Sequence, residues 1–161
     1  MQSDIGGMAL STPEHISVVV KDIDKTTEFL SSTFGLGPWL IVETSFLKDA
    51  MIVGEPSRLK SALAKLGSVV LELLQPLEEG SLWGQFLKTK GEGLHHIAFT
   101  IPNWEEEVSK LSEQGSKIVW GVIYEGKRAC YVETKSGGII IEIGEQGIHD
   151  KLWKELEDLR K

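Results

Sequence analysis

The chain has 161 residues, a formal net charge of −7, and 41% hydrophobic and 25% charged residues, which is typical of a globular protein. This length favours a single domain. The acidic balance argues against nucleic acid or an anionic membrane as the main partner, and no apolar run approaches the roughly 20 residues that cross a bilayer.

The N-terminal stretch MQSDIGGMAL lacks the basic and long apolar regions of a secretion signal. We expect residues 1–12 to form a loose lead-in to the domain. A single cysteine, Cys130, excludes an intramolecular disulfide. A reducing, cytoplasmic setting is therefore the expected location.

An internal repeat organises the rest of the chain. The segments EHISVVVKDIDKTTEFL (14–30) and HHIAFTIPNWEEEVSKL (95–111) align without a gap, so that His15 falls on His96. Each segment begins with β-branched residues typical of a strand and continues into a predicted helix. Asp22 and Asn103 are the predicted N-caps of these helices, and Gly35 and Gly115 are the predicted C-terminal stops.

A second correspondence aligns VVLELLQP (69–76) with IIIEIGEQ (139–146) and places Glu72 on Glu142. The first half is longer in its middle, at residues 54–67, where we expect a hairpin connection or a short helix. Each half also has room for two further strands of ~5–6 residues. These are predicted at PWLIVET, DAMIVG, SKIVWGVIYE and RACYVETK.

The pattern is βαβββ, repeated, and it predicts an α+β fold. One repeat has too small a core to fold comfortably alone, so we expect a single domain over 13–147, with module one at 13–78 and module two at 93–147. The tail, 148–161, carries apolar residues at helical spacing and is predicted to be a closing amphipathic helix; these residues are Ile148, Leu152, Leu156 and Leu159.

Strand alternation predicts which side chains face a site. Neighbouring residues on a strand point to opposite faces, so the large apolar residues should pack on the helices. His15 and His96 then look into a cavity from equivalent positions. His95, next to His96, is expected to point the other way.

Glu72 and Glu142 lie in the middle of apolar runs, where a buried unpaired carboxylate costs several kcal/mol. One explanation is solvent exposure, with both histidines bonded to backbone groups. The other is a cation. Two imidazoles and two carboxylates in matching repeat positions favour one divalent transition metal ion, either Zn, Co, Ni, Mn or Fe.

Four segments carry a family resemblance: EHISVVVKDIDKTTEFLSSTFGLGP, VVLELLQPLEEGS, GEGLHHIAFTIPNWEEEVSKLSEQG and ETKSGGIIIEI. They resemble the vicinal-oxygen-chelate (glyoxalase/bleomycin-resistance/dioxygenase) superfamily, and within it the methylmalonyl-CoA epimerases. The resemblance implies a glyoxalase-like fold, in which two βαβββ modules form a cupped mixed sheet around one metal ion. It also implies that His15, Glu72, His96 and Glu142 are the metal ligands.

The chemistry that the resemblance implies is proton transfer next to a thioester carbonyl, with Glu142 as a catalytic residue. The implied substrate is a small-molecule thioester such as an acyl-CoA, and the implied assembly is a homodimer. The epimerases place a further glutamate on a middle strand of module one. In this sequence Asp49 and Glu43 lie near that region, but no glutamate can be placed on the matching position.

Other members of the superfamily remain as alternatives. A glyoxalase I-like lactoylglutathione lyase would use the same four ligands. An extradiol dioxygenase would need only His15, His96 and Glu142 around Fe(II), and Glu72 argues against it. A metal-free small-molecule binding protein of the same fold would not need the four residues.

Overall fold

The structure is a computed structural model that describes residue 8 and residues 10–161. Most of the predicted lead-in, 1–12, lies outside the described residues. Over the described part of the chain, the strands are β1 (His15–Val19), β2 (Leu40–Phe46), β3 (Met51–Val53), β4 (Ser57–Leu66), β5 (Val69–Pro76), β6 (Gly93–Ile101), β7 (Lys117–Tyr124), β8 (Lys127–Glu133) and β9 (Ile140–Glu145). The helices are α1 (Ile23–Phe34), α2 (Leu82–Lys90), α3 (Trp104–Glu113) and α4 (Asp150–Asp158).

The strands form one mixed sheet in the order β2-β4-β5-β1-β6-β9-β8-β7-β3. The two repeats meet at its centre, where β1 and β6 pair antiparallel, and each first strand pairs parallel with the last strand of its own repeat. In the central pair, His15 lies opposite Ala98 and Ser17 lies opposite His96. Equivalent positions thus face each other about a local twofold axis. The predicted α+β fold with a repeated module is confirmed.

Residues 57–66 form β4, so the expectation of a hairpin connection or short helix at 54–67 is wrong. Alanine and lysine lower the strand propensity of this segment, but pairing with β2 and β5 on both sides outweighs that preference. β4 is therefore a middle strand of module one. β3, which we expected in that place, pairs instead with β7 at the far edge of the sheet.

Helix α1 packs on the outer face of the sheet as the apolar pattern predicts. Asp22 caps it, because its side chain accepts from the backbone N–H of Lys25 at 3.0 Å. The helix ends at Gly35, whose φ of 67° is left-handed. Asn103 occupies the predicted N-cap position of α3, but its side chain does not make the expected capping hydrogen bond.

Helix α2 joins the two modules and was not predicted from the sequence. The Ser81 hydroxyl caps it by accepting from the backbone N–H of Gly84 at 3.0 Å. Its Trp83 side chain is fully buried in the largest core cluster, where it contacts aromatic residues of both modules. The connection between the modules therefore contributes to the core that supports the concave face.

The C-terminal helix lies on the concave side of the module-one sheet. Leu156 is fully buried and packs with Leu63 of β4 and Val70 of β5. The helix begins at Asp150 rather than at 148, and Leu159, predicted on its apolar side, is 48% exposed. The last part of the chain thus covers one half of the cupped sheet.

Within the described residues, no helix has the length and apolar character needed to cross a membrane.

Candidate metal centre

The four predicted ligands come from the four central strands of the sheet. His15 lies on β1 and His96 on β6. Glu72 on β5 is in register with Ser17, and Glu142 on β9 is in register with Ala98. Since Ser17 and Ala98 are equivalent in the repeat, both carboxylates reach the centre from equivalent places.

The ligand atoms converge on one point. The Nε2 atoms of His15 and His96 are 3.3 Å apart, and Glu142 Oε2 lies 3.3 Å from the first and 2.8 Å from the second. Glu72 Oε2 lies 3.4 Å from His15 Nε2 and 3.9 Å from His96 Nε2. With metal–ligand bonds of ~2.0–2.2 Å, two ligands of one ion are about 2.9–3.5 Å apart. The geometry therefore fits a shared ion, most closely for His15, His96 and Glu142.

The histidines and Glu142 are buried, and the imidazoles stabilise the negative charge of the carboxylate. His15 is 2% exposed, His96 is 0% and Glu142 is 6%. Burial alone would raise the pKa of Glu142, but His15, His149 and His96 outweigh it and hold that pKa well below its usual range. The centre thus offers a charged carboxylate between imidazoles, a donor set that suits a divalent transition metal.

His95 does not point away from the site, and that expectation is wrong. The β1–β6 register passes from Ser17–His96 to Val18–Leu94, so a bulge at His95 breaks the alternation. The His95 ring packs 5.4 Å from that of Tyr131, and its Nδ1 lies 2.8 Å from His96 Nδ1. Burial, with a smaller contribution from His96, lowers the pKa of His95 to about 3.

No carboxylate reaches the cavity from the middle-strand region where the epimerases are expected to carry one. Glu43 points to the exposed side of β2, and Asp49 is exposed in a short 3-10 turn, Lys48–Ala50. The face of β2 that lines the cavity carries Val42, Thr44 and Phe46. Neither of the two acidic residues noted in the sequence therefore contributes to the site.

Two polar residues at the site were not predicted. The fully buried hydroxyl of Ser17 donates to Glu72 Oε2 and lies 2.9 Å from His96 Nε2. Ser17 shares a strand face with His15, two residues before it, but alternation alone gives it no role. Ser17 lies beside Glu72 because β1 and β5 pair in parallel, and the sequence alone does not show this pairing.

His149, immediately before α4, is the second residue that the sequence did not reveal. Its Nδ1 lies 2.8 Å from Glu14 Oε2, and its Nε2 lies 3.6 Å from Glu142 Oε1. Burial opposes protonation, but Glu14 and Glu142 together raise the pKa of His149 to about 10. All four histidines of the chain therefore lie at this centre.

A cavity of about 70 Å³ adjoins the centre. Aromatic rings form much of its wall, and the C-terminal segment closes one side with Ile148, His149 and Leu152. Gly144 of β9 permits this approach, because a Cβ there would lie 2.9 Å from Ile148 Cγ2. The centre is thus enclosed by hydrophobic side chains on the concave face.

Comparisons with known proteins agree with this architecture. The chain is 29% identical to the uncharacterized protein YqjC of Bacillus subtilis over 136 residues, covering 82% of this chain and 90% of that protein. It is 27% identical to the mitochondrial methylmalonyl-CoA epimerase of Bos taurus over 139 residues, covering 80% and 71% of the two chains.

Among solved structures, a variant of the Streptomyces coelicolor methylmalonyl-CoA epimerase in complex with 2-nitronate-propionyl-CoA superposes with a TM-score of 0.65. The two chains are 25% identical, and the match covers 86% of this chain and 99% of the other. A family model described as Glyoxalase/Bleomycin resistance protein/Dioxygenase superfamily matches residues 14–133. The repeated βαβββ module, its cupped sheet and this match over most of the chain show that the protein belongs to the glyoxalase/bleomycin resistance protein/dioxygenase superfamily.

Proposed function

We propose that the protein is a metal-dependent isomerase that moves the proton next to the thioester carbonyl of an acyl-CoA, as a methylmalonyl-CoA epimerase does. The observation that carries the proposal is the convergence of two imidazole nitrogens and two carboxylate oxygens on one point of the concave face. The epimerase relatives and the acyl-CoA analogue bound by one of them support the choice of substrate class.

In this proposal His15, Glu72, His96 and Glu142 hold one divalent ion. When bound, such an ion supplies Lewis-acid stabilisation of the negative charge that develops on the thioester oxygen. The protein's part is to fix the four side chains on adjacent, mutually paired strands. A rigid sheet holds such groups more precisely than loops do.

Glu142 is the residue that we assign to proton transfer. Its Oε2 faces the two histidine Nε2 atoms, while its Oε1 faces His149. The two oxygens therefore have separate surroundings, and a carboxylate beside the substrate's α-carbon can take or return a proton.

Inversion at a carbon requires a second group on the opposite face, because the proton must leave from one side and return on the other. Glu72 occupies the equivalent position in the other module and lines the same cavity. We therefore assign the second proton transfer to Glu72. The local twofold axis places the two carboxylates on strands at either side of the β1–β6 pair.

The aromatic wall has a separate role in this proposal. Phe46, Trp83, Trp120 and Tyr131 pack against one another with ring centroids 4.5–6.1 Å apart and line the cavity. A wall of this kind excludes water from the carbanion-like transition state. It also strengthens the electrostatic interactions within the site.

The test is exchange of the α-proton of methylmalonyl-CoA for deuterium in D₂O, followed by mass spectrometry with metal-loaded protein. We expect exchange by the wild type and a loss of at least 100-fold with Glu142→Gln, because general acid–base catalysis contributes ~10²–10⁴-fold. Glu43→Gln is the matched control, since that carboxylate faces away from the cavity. Exchange that survives Glu142→Gln would contradict the assignment. Turnover of a glutathione hemithioacetal without acyl-CoA exchange would indicate the lyase instead.

A further inference from the structure

His95 lies behind the candidate metal centre, next to His96, and does not line the cavity. The bulge in β6 turns its ring under His96, and the residue is only 3% exposed. The two Nδ1 atoms are 2.8 Å apart, a hydrogen-bond distance. One nitrogen must carry the shared proton and the other must accept it.

The position of that proton decides whether His96 can bind an ion. A neutral imidazole has one N–H and one bare nitrogen, and only the bare nitrogen can be a ligand. The Nε2 of His96 faces His15, Glu142 and the Ser17 hydroxyl, all within 3.3 Å. For this Nε2 to be bare, the proton of His96 must be on Nδ1, and His95 Nδ1 must accept it.

We propose that His95 is a positioning residue whose Nδ1 accepts a hydrogen bond from His96 and so holds His96 in the tautomer that presents a bare Nε2 to the metal. The inference rests on the proposed metal-dependent function. In this role His95 supports the metal centre, although it touches neither the ion nor the substrate.

An energetic cost of burying the His95 side chain supports this role. If His95 Nδ1 accepts, its own proton is on Nε2, and that buried atom has no hydrogen-bond partner among the described residues. A buried donor without a partner lowers stability. Phe86 packs on the ring with centroids 5.0 Å apart, so an apolar ring would suit the pocket better. The presence of a histidine at this position is explained by the hydrogen bond between its Nδ1 and His96.

Two substitutions separate the hydrogen bond from the packing. His95→Phe keeps a ring between Phe86 and Tyr131 but removes the acceptor. His95→Asn loses the ring but keeps an acceptor oxygen near the Nδ1 position. Phe86→Leu is the matched control, because it alters the packing on His95 and leaves both imidazoles in place.

The measurements are zinc affinity, by competition with a chelator, and thermal stability of the metal-free protein. We expect His95→Phe to weaken zinc binding ~10–100-fold, the usual effect of losing the hydrogen bond behind a ligand. Its metal-free stability should change little, because removal of the unpaired Nε2 of His95 offsets the loss of the partner of His96 Nδ1. His95→Asn should recover most of the affinity. Phe86→Leu should lower stability and leave affinity unchanged. In the zinc-loaded wild type, nitrogen-15 NMR should show His96 protonated at Nδ1 and His95 at Nε2.

Zinc affinity of His95→Phe equal to the wild type, or the opposite pair of tautomers, would overturn the inference while leaving the proposed function intact. A decrease in stability that parallels the decrease in affinity would show a merely structural role and would overturn it too. Absence of zinc binding by the wild type would overturn the proposed function, and this inference with it.

Discussion

Ser17 lies directly opposite Glu72 in the parallel pairing of β1 and β5, and its hydroxyl donates to the Glu72 carboxylate. The equivalent residue beside Glu142 is Ala98, which has no side-chain donor. Glu142 is approached instead by His149 from the C-terminal segment. The two carboxylates of a nearly symmetrical centre are thus oriented by different partners.

Removing the Ser17 hydroxyl should act on Glu72, which accepts its hydrogen bond, and should remove the contact of the same oxygen with His96 Nε2. Ser17→Ala leaves the four proposed ligands in place but frees the Glu72 carboxylate to rotate. We expect metal affinity to fall by about tenfold, at the lower end of what such supporting hydrogen bonds contribute. Calorimetric titration with zinc measures this. An unchanged affinity would show that the Ser17–Glu72 hydrogen bond does not orient the ligand.

The ion pair between His149 and Glu14 predicts how the stability of the metal-free protein depends on pH. The pKa of His149 is raised to about 10 in the folded protein, compared with ~6.5 in an unfolded chain. The folded state binds this proton more tightly than the unfolded chain does. The contribution of the ion pair to the free energy of unfolding is therefore fully present below pH ~6.5 and is lost as the pH rises towards 10. Urea unfolding in the presence of a chelator should therefore show lower stability at pH 8.5 than at pH 6.

His149→Gln is the control for that dependence, because glutamine can hydrogen-bond without titrating. We expect its stability to be lower than the wild type at pH 6 and to change less between the two pH values. A wild-type protein that gains stability from pH 6 to pH 8.5 would contradict a stabilising ion pair between His149 and Glu14. So would a His149→Gln variant whose stability changes with pH as much as that of the wild type.

We predict that Leu156 stabilises the packing of the C-terminal helix on the sheet. Its side chain is fully buried against Leu63 and Val70. Leu156→Ala should therefore lower the free energy of unfolding by ~2–5 kcal/mol, as large-to-small changes in a core do. Leu159→Ala, at the half-exposed position that directly follows this helix, should change it by no more than ~0.5 kcal/mol. Equal effects of the two substitutions in urea unfolding would show that the helix is not held by its buried face.

Leu152 gives a prediction about substrate size. Together with Ile148 it lines the cavity from the C-terminal side, opposite the sheet. Leu152→Ala should enlarge the cavity and raise the rate of α-proton exchange for acyl-CoAs with longer acyl chains relative to that for methylmalonyl-CoA. The ratio of kcat/KM values measures this. An unchanged ratio would mean that the acyl group does not contact the C-terminal segment.

The repeat in the sequence was enough to predict the fold class and to bring His15, Glu72, His96 and Glu142 onto one face. Alternation along an undistorted strand and the gapless alignment of the matching segments are local signals, and they held in β1, β5 and β9. The prediction for His95 was wrong because a bulge breaks the alternation. A single inserted residue of this kind leaves no mark in the hydrophobic pattern.

The other errors have a similar origin in contacts between distant segments. β4 has a composition that favours helix, and only its pairing with β2 and β5 makes it a strand. His149 reaches the centre because Leu156 and Ile148 dock the C-terminal segment on the sheet. Neither tertiary contact is encoded in local periodicity, and so neither could be predicted from it.

The most direct test of the account is the metal content of the purified protein after equilibration with zinc or cobalt and removal of unbound ions. We predict close to one ion per chain in the wild type and almost none in His96→Ala, with the variant still folded by circular dichroism. Retention of the ion by folded His96→Ala, or its absence from the wild type, would contradict a centre built from both halves of the repeat.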